Sequence, residues 1–221
     1  MQSVERQVIA IEKYGPAKSL KLKQRPADPV GDDDVAIAVK YSGINFADIQ
    51  MRLGFYPDAP KRPFVPGYEV SGTVRQVGKN VSRFKVGDPV VAGTYFGGYA
   101  SQVTVPAIQA FALPASNDLA SAAALPVSFF TAQLALFEMG RIRAGDRVLI
   151  ECATGGVGTL AVQMAKHVGA QVVGLTTTAS KKEYIAALGA TPYTREEFFA
   201  DPSVGGFDFI RLGVADHLGM I

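Results

Sequence analysis

The chain has 221 residues, 48% hydrophobic and 19% charged, which is enough for one large domain or two smaller ones with a real core. A net charge of +2 without clustered basic residues argues against a nucleic-acid partner. One cysteine excludes an intrachain disulfide framework, and no stretch approaches the ~20 apolar residues that span a bilayer. We therefore expect a cytoplasmic protein without a nucleic-acid or membrane partner.

Residues 1–120 predict a mostly antiparallel β domain. They contain short runs that alternate in polarity or are rich in β-branched residues, and turns rich in Gly and Pro separate these runs. The runs are "RQVIAIE", "VAIAVKYSGI", "EVSGTVRQVG", "DPVVAG" and "YASQVTVP". This pattern is typical of a compact, barrel-like sheet rather than of alternating strands and helices.

The second domain, placed at residues 121–221, has a different pattern. Residues 118–140 are rich in Ala and Leu and predict two helical pieces divided at Pro126, with Asp118 or Ser121 as the first helix cap. From residue 147 the order is strand "RVLIEC", helix "GVGTLAVQMAKHVG", strand "QVVGLTT" and helix "SKKEYIAALG". This order predicts parallel strands with right-handed crossovers.

The clearest functional signal is "CATGGVG", which follows a strand and opens a helix. Backbone N–H groups at a helix N-terminus favour an anion, and glycine leaves room for a pyrophosphate to approach them. Against the pattern G-x-G-x-x-G, the three glycine positions correspond to Ala153, Gly155 and Gly158. We predict that dinucleotide binding involves the residues of this turn, Ala153, Thr154, Gly155, Gly156, Val157 and Gly158. The alternative is a tight strand-to-helix turn without a ligand.

The end of the next strand indicates NADPH rather than NADH. NAD sites commonly place an acid there to accept a hydrogen bond from the ribose 2′-OH, but "GLTTTASKK" (174–182) contains none before Glu183. Hydroxyl and ammonium groups suit a 2′-phosphate, so we assign Thr176, Ser180 and Lys181 to the cofactor site. The alternative is that Ser180 caps the next helix and that the lysines are only solvated.

Six motifs occur in a familiar order and spacing. They are "GINFADIQMRLGFYP" (43–57), "PFVPGYEVSGTVRQVG" (63–78), "FKVGDPVVA" (84–92), "GGYASQVTVPA" (97–107), "AAALPVSFFTAQLALFEMGRIRAGDRVLI" (122–150) and "ATGGVG" (153–158). Over about residues 6–190 the chain resembles the zinc-independent quinone oxidoreductase branch of the medium-chain dehydrogenase/reductase family. The resemblance implies a GroES-like β-barrel domain followed by a Rossmann-type α/β domain. It also implies NADPH-dependent reduction of a quinone or an α,β-unsaturated carbonyl in the cleft between them.

The resemblance also implies roles for individual residues. Asn45 and Thr131 would contact the nicotinamide–ribose end of the cofactor, and Tyr56 would line the substrate cleft; Asn45 and Tyr56 are the predicted catalytic residues. Gln50 stands where some relatives have a second tyrosine. We also assign Tyr193 to the cofactor site. Thr131 has an alternative role as an ordinary helix residue.

Two further side chains have structural alternatives. Asp48 is as consistent with a structural hydrogen-bond acceptor as with a catalytic group. Zinc-containing relatives have a cysteine where this chain has Asn45 and a histidine where it has Tyr68. The alternative role of Tyr68 is packing alone, with its hydroxyl hydrogen-bonded. A catalytic zinc needs three converging protein ligands, and Asn45 and Tyr68 replace two of them here, so we expect no metal. Hydride transfer must then depend on positioning and hydrogen bonding.

The Rossmann-type domain is expected to be incomplete. Such a domain has about six strands, and residues 147–221 supply little more than the first half. "GFDFIRLG" (206–213) resembles the family's fourth strand, with Arg211 in place of an acid. A homodimer is expected of a complete chain but not of this one. The competing functions are a catalytically silent NADPH-binding scaffold and an enoyl reductase of a biosynthetic pathway.

Overall fold

The computed structural model describes residues 5–114 and 116–204. These residues form two compact units that divide between Val127 and Ser128. The predicted strand at 206–213 lies outside the described residues.

The N-terminal unit is built on antiparallel strands. A hairpin pairs β1 (Glu5–Ile11) with β2 (Leu20–Pro26). The main sheet consists of β3 (Asp34–Ser42), β4 (Glu69–Val77), β5 (Pro89–Gly93), β6 (Gln102–Pro106) and β7 (Ala110–Ala112). Its strands lie in the order β6-β3-β4-β5-β7, and every neighbouring pair is antiparallel. The predicted antiparallel β domain is therefore confirmed.

Alternation along these strands places the apolar side chains on one buried face. Val35, Ile37, Val70 and Val90 are each 0% exposed. They share this core with Val74, Phe84, Ala92, Val103, Val105 and Ala110.

Three helices follow or connect these strands. They are α1 (Phe46–Leu53), α2 (Leu119–Ala122) and α3 (Pro126–Gln133), and α3 continues as a π-helical segment, Leu134–Met139. The Asp118 carboxylate accepts a hydrogen bond from the N–H of Ser121 at 2.8 Å, so Asp118 is the cap of α2. The break before Pro126 agrees with the prediction, whereas nothing in the sequence predicted the π-helical segment.

The C-terminal unit alternates strands and helices. Its elements are β8 (Arg147–Ile150), α4 (Gly156–Val168), β9 (Gln171–Thr176), α5 (Lys182–Ala187), β10 (Thr191–Thr194) and α6 (Arg195–Ala200). Within the described residues the strands form a parallel sheet in the order β10-β9-β8. The predicted parallel α/β arrangement is confirmed. Ile150 is in register with Gly174, so β8 and β9 end at the same sheet edge.

Helix α4 packs its small apolar side chains against this sheet. Ala161, Val162 and Ala165 are 0% exposed, at the spacing of one helix face. They pack with Ile150, and the π-helical segment adds Leu136 to the same core. Among the described helices, none is long and apolar enough to cross a membrane.

This core gives the first prediction. Leu136 is fully buried, so Leu136→Ala removes packed side-chain atoms and should lower the free energy of unfolding by about 2–5 kcal/mol. Leu134 lies two residues earlier and is 54% exposed, so Leu134→Ala should change it by no more than about 0.5 kcal/mol. Denaturant unfolding measures the free energy of unfolding of both variants. Equal losses of stability would show that Leu136 is not packed in this core.

Candidate functional site

The glycine turn connects β8 to α4. Gly155 is the N-cap of α4, and the first helical hydrogen bond runs from Thr159 N to Gly155 O at 2.8 Å. Ala153 N donates to Leu175 O at 2.9 Å, which ties the turn to the end of β9. The first N–H groups of a helix have no acceptor within the helix, and Gly155 and Gly156 are exposed here. The turn therefore offers backbone donors to an anion.

The third glycine of the motif permits a close approach. A Cβ on Gly158 would lie 2.2 Å from the carbonyl oxygen of Cys152, so no side chain fits there. Cys152 itself is exposed and has φ 51°, a left-handed conformation that is uncommon for a residue other than glycine. Gly155 has φ −81°, so its requirement is space rather than an unusual backbone conformation.

The end of β9 lies at the same sheet edge as the turn. Thr176 is buried, and its Oγ1 accepts a hydrogen bond from Thr178 N at 3.1 Å. Ser180 is exposed within a 3₁₀ turn, Ala179–Lys181. The N-cap of α5 is Lys181, and no side-chain cap bond is formed there, so Ser180 does not cap this helix.

The two neighbouring lysines differ in their contacts. Lys182 Nζ lies 2.6 Å from Glu197 Oε2 in an ion pair. In the part of the chain that the structure describes, the exposed Lys181 side chain makes no ion pair. Lys181 is thus the lysine of this pair whose charge is available to a ligand.

Thr131 and Tyr193 belong to the same unit as the turn. Thr131 is exposed on α3. Tyr193 lies on β10 opposite Leu175, packs edge-to-face on Phe198 at 6.0 Å, and donates from its hydroxyl to Asp201 Oδ2 at 3.4 Å. The hydroxyl of Tyr193 already has a partner, and its assignment to the cofactor site stays a prediction.

In the N-terminal unit, Asn45 is held by two carboxylates. It is the N-cap of α1, and its backbone N donates to Asp48 Oδ2 at 2.8 Å. Its side-chain Nδ2 donates to Glu69 Oε1 at 2.8 Å. The second oxygen of each carboxylate accepts a backbone N–H, from Gly67 to Asp48 at 3.0 Å and from Val127 to Glu69 at 2.8 Å.

Both carboxylates are buried. Asp48 is 4% exposed and Glu69 is 2% exposed. Burial raises the pKa of each carboxyl, and their hydrogen bonds offset part of this increase. Both oxygens of Asp48 accept backbone N–H groups, which supports its alternative role as a structural acceptor.

An aromatic cluster adjoins this network, because Tyr68 directly precedes Glu69. The ring centroid of Tyr68 lies 6.2 Å from that of the half-buried Tyr56 and 5.3 Å from that of Phe96. Burial, followed by a hydrogen bond with Tyr56, raises the pKa of Tyr68, so its hydroxyl stays protonated at neutral pH. Gln50 is 3% exposed, and its Nε2 has no hydrogen-bond partner among the described residues.

Sequence reasoning missed Glu69 and Tyr99. Tyr99 hydrogen-bonds to Asp48, and burial raises the pKa of Tyr99. The available signal for Glu69 was an acidic residue at the start of an apolar strand, "YEVSGTV". Such a residue needs partners when it is buried. Within residues 5–114 and 116–204, no group of three or more His, Cys, Asp or Glu side chains is placed to hold a metal ion.

Comparison with known proteins shows which proteins this chain is similar to. Residues 31–115 match the alcohol dehydrogenase GroES-like domain. The chain is 39% identical over 180 residues to the synaptic vesicle membrane protein VAT-1 homolog of Rattus norvegicus, covering 80% of this chain and 45% of that protein. It is 35% identical over 210 residues to the quinone oxidoreductase of Sus scrofa, covering 94% and 62%. The chain spans about half the length of the first of these relatives.

Solved structures agree. Escherichia coli quinone oxidoreductase complexed with NADPH matches with a TM-score of 0.77 and 32% identity, covering 86% of this chain and 59% of that one. CurK enoyl reductase matches with a TM-score of 0.83 and 30% identity, covering 92% and 65%. A GroES-like unit followed by a parallel α/β unit is the arrangement that the resemblance to the medium-chain dehydrogenase/reductase family implied. The chain is thus similar to quinone oxidoreductases of the zinc-independent branch of this family, in agreement with the resemblance that the motifs indicated.

The buried Glu69 predicts a pH dependence. Because its folded-state pKa is raised, the folded protein holds the Glu69 proton more tightly than the unfolded chain does. The stability penalty of the charged form is complete above the folded pKa and is relieved as the pH falls towards the ordinary value. The variant Glu69→Gln lacks this titration, so the free energy of unfolding of the wild type minus that of the variant should increase from pH 7.5 to pH 5. Denaturant unfolding across this range measures the difference, and a decrease on acidification would contradict a raised pKa.

Proposed function

We propose that the complete protein is a zinc-free oxidoreductase that uses NADPH to reduce a quinone or an α,β-unsaturated carbonyl. The observation that carries the proposal is the open N-terminus of α4 at the sheet edge where β9 ends. The segment after β9 has no acidic residue before Glu183, and it contains Lys181, whose charge is available to a ligand. The match to a quinone oxidoreductase complexed with NADPH supports the choice of cofactor.

The residues present fit a dinucleotide phosphate. The space at Gly155 and Gly156 and the first amides of α4 suit the pyrophosphate. Thr176, Ser180 and Lys181 would hold the adenosine ribose and its 2′-phosphate. Asn45 and Thr131, with Tyr193 as a further candidate, complete the proposed cofactor residues. When bound, NADPH supplies the hydride.

The protein's own contribution is positioning and hydrogen bonding. Asn45 is immobilised through both its backbone and its side chain, which suits a group that fixes a ligand in one orientation. The hydroxyl of Tyr56 is a donor suited to the substrate oxygen on which negative charge develops. Tyr68 supports the ring of Tyr56 by edge-to-face packing.

Two other functions are separated by one assay. The similarity to CurK enoyl reductase favours enoyl reduction as a second candidate. NADPH oxidation with a panel of quinones, enones and enoyl thioesters identifies the preferred substrate class. A silent scaffold would bind NADPH and oxidise it with none of them. A cytoplasmic location and a homodimer of the complete chain are parts of the same proposal.

Cofactor choice gives a prediction with a matched control. Lys181→Ala removes a charge-assisted contact to the 2′-phosphate and should weaken NADPH binding roughly 10- to 100-fold, with little effect on NADH. Lys182→Ala removes the neighbouring ammonium group, which is paired with Glu197, and should change NADPH affinity far less. Fluorescence titration of both cofactors against the wild type and both variants measures this. Equal wild-type affinity for NADH and NADPH, or an equal loss for both in Lys181→Ala, would refute the assignment.

The turn gives another prediction. In Gly155→Val the new side chain would occupy the approach to the first amides of α4 and should abolish NADPH binding while the N-terminal unit stays folded. Within 4 Å, the described part of the chain places one atom near a Cβ at this position, Cys152 O at 3.2 Å. Gln163→Val introduces the same residue at an exposed position further along α4 and should leave binding intact. Unchanged NADPH titration of Gly155→Val would show that the turn holds no pyrophosphate.

A further inference from the structure

Strand β2 has a free edge. In the part of the chain that the structure describes, it pairs with β1 alone. Leu22 lies opposite Ile9, whose backbone N donates to Tyr99 O at 2.8 Å rather than to β2. In an antiparallel pair, the backbone groups of two opposed residues point either towards each other or both away. The N–H and C=O groups of Leu22, and by the same alternation those of Gln24, therefore point to the free edge.

The side chains of β2 differ between its two faces. Because side chains alternate along a strand, Lys21, Lys23 and Arg25 lie on one face and Leu22 lies on the other. Leu22 is 62% exposed and borders an open groove of about 380 Å³, which Ile9 also lines. The free edge therefore has a cationic face and a face with an exposed apolar side chain.

The cationic face has more positive charge than nearby acids neutralise. Between Glu12 and Asp28 the sequence has five Lys and Arg residues and no acid. Glu12 Oε1 lies 2.9 Å from Lys23 Nζ. A hydrogen bond from Lys23, aided by the charges of Lys21 and Arg25, lowers the pKa of Glu12, so this face already stabilises one carboxylate. Among the described residues, Lys21 and Arg25 themselves make no ion pair.

This arrangement disfavours two occupants of the edge and favours a third. A second copy of β2 would place like charges opposite each other, which destabilises strand pairing. A flat membrane surface can meet the cationic face or Leu22 but not both, and it leaves the backbone groups of the edge without partners. An added strand pairs with those backbone groups, and its side chains alternate between the same two faces.

We propose that the free edge of β2 is a docking site for an extended segment of another protein in which acidic residues alternate with apolar ones. The segment pairs with the backbone groups of Leu22 and Gln24. Its carboxylates lie on the face of Lys21 and Arg25, and its apolar side chains pack beside Leu22. This site lies within the N-terminal unit and is independent of the proposed cofactor.

The first test uses a labelled seven-residue peptide, the length of β2, in which glutamate alternates with valine. Fluorescence anisotropy with the full chain measures its affinity, and hydrogen exchange measures the protection of the Leu22 and Gln24 amides. We expect the peptide to bind and to slow the exchange of both amides. A peptide of the same composition with its glutamates contiguous should bind at least about 10-fold more weakly.

Backbone methylation tests the strand pairing itself. Two further peptides carry N-methyl groups on either the valine or the glutamate nitrogens, which removes one alternate set of N–H donors without changing the charge. Because only one set faces β2, we expect one methylated peptide to bind like the parent and the other to lose at least about 10-fold in affinity.

Charge reversal tests the cationic face. The variant with both Lys21→Glu and Arg25→Glu should bind the glutamate peptide at least about 10-fold more weakly and should bind a peptide that alternates lysine with valine. The matched control combines Lys61→Glu with Lys85→Glu, which reverses two exposed lysines elsewhere and gives the same net charge. This control should keep the wild-type affinity for the glutamate peptide.

Three results would overturn the proposal. Equal binding of both methylated peptides and the contiguous peptide would show that the chain recognises charge without strand pairing. Equal losses in the two charge-reversed variants would show that the peptide does not bind at β2. Failure to bind the glutamate peptide, with binding instead to vesicles of phosphatidylserine and phosphatidylcholine that requires Lys21 and Arg25, would assign the edge to a membrane surface.

Discussion

The close approach of α4 to the end of β8 is the constraint on which the C-terminal unit depends. The backbone at Gly158 lies so near the carbonyl of Cys152 that only a residue without a side chain fits. This contact places the first turn of α4 over the sheet edge where β8 and β9 end together. The hydrogen bond from Ala153 N to Leu175 O then ties the turn before the helix N-terminus to the end of β9.

The feature that characterises the N-terminal unit is the burial of two carboxylates, those of Asp48 and Glu69. Isolated buried charges are costly, yet each oxygen of Asp48 and Glu69 accepts a hydrogen bond. The raised pKa values show that the compensation is incomplete. The buried carboxylates fix the orientation of Asn45 at the start of α1. Asp48 holds its backbone N–H, and Glu69 holds its side chain.

The sequence predicted the elements whose signals are local. The strands and helices from Arg147 to Ala187 were predicted to within about two residues, because periodicity and glycine turns mark them. Strand β8 ends at Ile150 rather than at the predicted Cys152, because the backbone at Cys152 adopts a left-handed conformation. Contacts between distant residues were beyond this reasoning, as shown by the bond from Asn45 to Glu69, 24 positions away, and the ion pair of Lys182 with Glu197. The assigned roles of Tyr56 and Tyr193 are still predictions, since their geometry alone names no ligand.

The central claim is that the turn at 153–158 and the end of β9 together hold a phosphorylated dinucleotide. The most direct measurement is a backbone amide NMR titration with NADP⁺ and NAD⁺. The account predicts that NADP⁺ shifts the amide resonances of Gly155 to Gly158 and of Lys181, and that NAD⁺ shifts those near Lys181 much less at equal concentration. Saturation with NADP⁺ that leaves these resonances unchanged and shifts others instead would contradict it.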